Sequence, residues 1–148
     1  MKIRNIYLNK KVPVISVAIA LLCIIITFIS QLVPSTYMAF TFSFPVKYPW
    51  QLITYIFLQG IPGDLMPPDL PYSSMEITMG HLGYNLLLIL PFGIFAEKVI
   101  GSNRFLTLFG ATWIVNLIVN IIMGMIYTKD GDTFAVSGAS LMHRRVND

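Results

Sequence analysis

Five side chains in this sequence could do chemistry together: His81 and Asn85, four residues apart, and Ser137, Ser140 and His143, each three from the next. At helical spacing, positions i and i+4 share a face, so the His81 imidazole and the Asn85 carboxamide can converge on one small volume. A serine hydroxyl is a weak nucleophile until a base takes its proton and a donor stabilises the oxyanion that forms. His143 shares a helical face with Ser140, but a base must also reach the hydroxyl proton and be oriented by a third group, and no such group is visible. Plainer roles stand beside these. The serines suit the capping of a helix, and His81 and Asn85 suit hydrogen bonds to neighbouring helices.

The elements that must position these residues are membrane-length. Of 148 residues, 55% are hydrophobic and 11% charged, and the mean hydropathy is +0.71. That is far more apolar than a soluble domain and implies an integral, multi-pass membrane chain. The net charge of +3 comes from Lys and Arg beside apolar segments rather than from a basic stripe, which speaks against nucleic-acid binding. The single cysteine, Cys23, lies inside an apolar run, so no disulfide framework is available and an inert packing role is expected. No Cys, His or carboxylate cluster has metal-ligand spacing, and no cofactor is expected.

The fold expected is all-α: a polytopic transmembrane helix bundle with about three full spanning helices and the start of a fourth. Residues 1–11 form a basic N-terminus, whose Lys2, Arg4, Lys10 and Lys11 place it in the cytoplasm by the positive-inside rule. Helix one covers 12–33, too long for a signal peptide and ended by Pro34. Residues 35–60 are aromatic and broken by Pro45 and Pro49, which reads as an interfacial or re-entrant element. The proline-rich, acidic stretch 61–79 reads as an exposed loop on the outer side. Helix two, 81–100, contains Pro91, which should kink it or force neighbouring groups to satisfy a freed carbonyl, and has His81 and Asn85 at its mouth. There, polar groups need an internal partner, a water-filled cavity or a substrate. Helix three spans 104–127, with Asn116 and Asn120 as structural glue. After a turn at 129–133, a fourth helix is expected from Phe134 or Ala135, with Ser137 and Ser140 in its first turns.

Several of these stretches resemble one family. PWQLITYIFLQG at 49–60 resembles the segment before the second helix of rhomboid intramembrane serine proteases. His81, Asn85, Phe92-Gly93, Glu97 and the run Gly101 to Phe105 look like that family's second helix and the turn after it. Ser137-Gly138-Ala139-Ser140 resembles the start of its nucleophile motif. Gln51 and Gln59 stand where the family commonly carries basic or His residues. The resemblance implies a serine endopeptidase that cleaves transmembrane protein substrates within the bilayer. Ser140 would be the nucleophile, with Ser137 the other candidate, and His81 and Asn85 would complete the anion-stabilising site.

In the family the base lies on a later helix, and after Ser140 this sequence reads LMHRRVND. The chain is therefore expected to divide into a basic N-terminus at 1–11, a partial rhomboid-like membrane domain at 12–140 and a non-matching polar tail at 141–148. It is expected to be a truncated and inactive form, located in a bacterial plasma membrane and prone to self-association through unsatisfied polar groups. The alternative is a non-catalytic rhomboid-like membrane protein that binds transmembrane helices.

Overall fold

The computed structural model describes residues 12–63, 71–128, 133–137 and 140–144. The basic N-terminus at 1–11, most of the proline-rich loop, the 129–132 turn, Gly138-Ala139 and the tail from 145 lie outside the described residues. Among the described residues, three helical spans are long and apolar enough to cross a membrane: Val14–Leu32, Ser74–Ile100 and Ser102–Tyr127. Helix α1, Val14–Leu32, is nearly the segment expected, and it gives way at Val33 to Pro34, which starts a new helix.

The second span differs from expectation at its start. It begins at Ser74, about two turns before His81, because Ser73 and Glu76 form a capping box. The Ser73 hydroxyl accepts the Glu76 amide while the Glu76 carboxylate accepts the Ser73 N–H, which satisfies two otherwise orphaned donors. Residues 74–79 are thus helix rather than loop, and His81 lies inside the span rather than at its mouth. Helix α4, Ser74–Leu88, passes through a π-helical segment, Ile89–Gly93, into α5, Ile94–Ile100. Pro91 sits in the π segment, where the wider turn relieves its ring and a missing N–H is tolerated. Gly101, at φ 86°, turns the chain into α6, Ser102–Tyr127.

Polar ties at both ends fix α1 antiparallel to the second span. At one end Glu97 accepts hydrogen bonds from Ser16, and at the other Gln31 Nε2 donates to Thr78 Oγ1. Between them Ile19, Cys23 and Leu82 form a buried cluster, joined by Phe105 and Phe109 of α6. Cys23 is accordingly a packed, free thiol.

Residues 34–60 fold as helix α2, Pro34–Phe40, strand β1, Phe42–Phe44, and helix α3, Gln51–Thr54, which tightens into a 3-10 turn, Tyr55–Phe57. The buried Gln51 side chain organises this segment. Its Oε1 accepts from Ser43 Oγ and from the Lys47 and Tyr48 amides, and its Nε2 donates to the Met38 carbonyl. Four bonds to one carboxamide hold a proline-broken loop whose backbone has no helical partners.

The expected fourth helix is not formed. Thr133–Ser137 is strand β2 and Ser140–Arg144 is strand β3, in an antiparallel sheet of order β1-β2-β3. The physical reason is local and tertiary together. Thr133, Phe134 and Val136 are residues that favour strands, the run is short and bracketed by Gly131 and Gly138, and β1 presents an edge for it to pair with. Val136 then packs on Phe42 and Tyr55. The sheet lies close on α6 at Gly124, where a β-carbon would stand 2.6 Å from the Phe44 side chain.

Candidate functional site

A cavity of about 240 Å³ opens between α1, α4, α6 and the end of the 34–60 segment. Its polar lining is Gln59, Asn85, Thr112 and Asn116, set among Ile19, Phe57, Phe109, Trp113 and other apolar side chains. With a 1.5 Å rise per residue, Asn85 lies about 16 Å along its helix from Ser74, and Asn116 about 16 Å from the end of α6. Both amides therefore sit near the middle of their spans, Asn85 half-buried. Polar groups at that depth demand partners.

Most partners are supplied internally. Tyr55 OH donates to Asn116 Oδ1 at 2.7 Å, and Asn120 Nδ2 donates to the same oxygen at 2.9 Å. Burial raises the Tyr55 phenol above its ordinary range, so it remains a donor. Trp113 Nε1 donates to the Leu52 carbonyl, which pins α3 to α6. Asn85 Nδ2 donates to Gln59 Oε1 at 2.7 Å. The second Nδ2 hydrogen of Asn85 is a further donor.

Of the residues singled out by sequence, Asn85 borders the cavity. His81 lies one turn away, outside the lining, and its Nε2 is enclosed with no hydrogen-bond partner among the described residues. Burial without a partner is unusual for an imidazole nitrogen.

Ser137 and Ser140 face each other in register across the β2–β3 hairpin. Ser137 lies on β2, beside β1 and α6, and Ser140 on the outer strand β3, so neither has the helix N-terminus, with its free N–H groups and positive dipole end, that the expected fourth helix would have offered. His143 is paired with Phe134 on the same hairpin. Its relation to Ser140 as neighbours on one helical face is lost with the helix.

Two site residues carry more weight than their sequence context suggests. Gln59, one of two glutamines noted only as departures from the resemblance, is the direct partner of Asn85. Asn116, read as glue alone, also lines the cavity. Comparison with protein-family models, with curated proteins and with solved structures finds no match to this chain.

Proposed function

We propose that the chain is a rhomboid-type intramembrane serine protease domain acting on transmembrane protein substrates near the outer face of the membrane. The observation that carries this reading is a largely apolar cavity between the spans with a few polar groups on its wall, bordered by Asn85 and one turn from His81, whose Nε2 has no partner among the described residues. In a low-dielectric interior, such donors would stabilise the oxyanion of an attacked peptide carbonyl strongly. The nucleophile in this reading is Ser140, with Ser137 as the other candidate. The N-terminus and the Lys98–Arg104 turn face the cytoplasm and residues 61–73 lie outside, because the basic residues gather at the first two.

A second reading, a non-catalytic rhomboid-like protein that binds transmembrane helices, is favoured by the strand placement of both serines. A fluorophosphonate probe on the detergent-solubilised chain, read beside cleavage of a transmembrane reporter, separates the two. Cleavage and labelling that vanish in Ser140→Ala and persist in Ser137→Ala support proteolysis with Ser140 as nucleophile; the reverse pattern moves the role to Ser137. An unlabelled chain that captures a fluorescent transmembrane peptide in nanodiscs leaves the second reading.

A further inference from the structure

The segment that carries Gln59 is wedged between two helices. Its backbone N–H donates to Thr27 Oγ1 of α1 at 3.0 Å. The next residue, Gly60, adopts φ 81°, and a β-carbon there would stand 2.1 Å from Thr78 Oγ1 of α4. Thr78 Oγ1 also accepts the Ile61 N–H at 3.3 Å. The backbone at 59–61 is thus fixed from both sides. From this base the Gln59 side chain enters the cavity, with Nε2 donating to the Ile56 carbonyl at 3.2 Å and Oε1 accepting from Asn85 Nδ2 at 2.7 Å. Because Nε2 must face a carbonyl, the carboxamide cannot be turned over, and Oε1 is the only end it can present to Asn85.

We propose that Gln59 is a positioning residue, which sets the direction of the Asn85 carboxamide at the cavity and leaves its second Nδ2 hydrogen as the donor for a developing oxyanion. The catalytic consequence rests on the proteolysis reading above; the geometric one does not. An amide with two free rotors would pair with whatever carbonyl it met. One held by a fixed acceptor is preorganised, and misplacement by about 1 Å in such a site costs about 10²-fold in rate. Gln59 would touch no reacting atom and would act through Asn85 alone.

The test uses the whole chain in nanodiscs with its asparagines labelled with ¹⁵N, and Asn85→Ala assigns the Asn85 side-chain resonances. In the unaltered chain one Asn85 Nδ2 proton is expected well downfield of the other. Gln59→Met, which keeps length and removes the acceptor, should collapse that difference. Gln59→Glu, which offers an acceptor oxygen in either protonation state, should keep it. On a transmembrane reporter, Gln59→Met should lower kcat about 10²-fold with KM held, and Gln59→Glu should recover most of the loss. An unchanged Asn85 signal in Gln59→Met overturns the proposal, as does its loss in a folded Gln59→Glu. The second variant decides the matter even if the first fails to fold. Absence of cleavage by the unaltered chain removes the proteolysis reading, while the Asn85 resonance still judges Gln59.

Discussion

Glu97 is the strongest single tie in the bundle, and removing it should unfasten helix α1. That helix starts at Val14 behind Pro13, whose side chain provides no cap. The first four N–H groups of a helix have no internal partner. Glu97 serves as the cap from another helix. Its carboxylate accepts the Ile15 N–H at 3.1 Å, the Ser16 N–H at 2.8 Å, and the Ser16 and Ser102 hydroxyls at 2.7 Å each. The residue is only 2% exposed, enclosed by three helix ends. A buried donor left unpaired costs about 1–3 kcal/mol, so orphaning two amides and losing two hydroxyl bonds should make Glu97→Ala destabilising by about 4 kcal/mol. Glu97→Gln keeps size and one acceptor oxygen but loses charge assistance, for about 2 kcal/mol. Reversible unfolding in mixed detergent micelles, followed by helical circular dichroism, gives both values, and hydrogen exchange at Ile15 and Ser16 reports the cap itself. Ser102→Ala should cost about 1 kcal/mol alone and close to nothing beside Glu97→Ala, because both changes remove one bond. A loss below about 1 kcal/mol in Glu97→Ala, or full additivity with Ser102→Ala, would refute the reasoning.

Three further outcomes are expected. Asn116→Leu, which deprives Tyr55 and Asn120 of their shared acceptor, should destabilise by about 1–3 kcal/mol in the same unfolding assay, more than Tyr55→Phe. Gly60→Ala should be worse than an ordinary glycine substitution, since φ 81° costs an L-residue about 1–2 kcal/mol before the contact with Thr78; Thr78→Ala should recover part of the loss. For topology, Tyr72→Cys in a Cys23→Ala background should react with an impermeant thiol reagent in intact cells, because Tyr72 is exposed just before α4; protection of that thiol would invert the orientation proposed.

The spans were legible because membrane length and hydropathy are properties of a run, and a run tolerates errors of a residue or two. The start of α4 was not read because the proline cluster at 67–71 masked the Ser73 and Glu76 pair. A polar stretch reads as loop by composition, although a single capping box reverses it over six residues. Gln51 illustrates a different limit. Its four bonds gather groups from Met38 to Tyr48, and nothing in the identity of a lone glutamine says that a loop will close around it. Pro91 is expected to disturb the helix, and a π segment, Ile89–Gly93, stands at its position.

The candidate site separates by the same logic. His81 and Asn85 belong to one long helix, so their mutual placement follows from spacing alone. The serines depend on an element whose identity was settled by tertiary context. Five residues, Thr133–Ser137, are too few to nucleate a helix in isolation, and the β1 edge offers three of them, Phe134, Ala135 and Val136, a ladder partner at once. That element decides whether the two serines stand in the first turns of a helix, with its free backbone donors, or on a hairpin. The acceptor that holds Asn85 is independent of that choice. Gln59 is fixed by α1 and α4 on one side of the cavity, whereas the hairpin lies with β1 and α6. The Gln59–Asn85 side of the cavity is therefore built without the serines, and a change at Ser140 should leave the Asn85 side-chain resonances where they are.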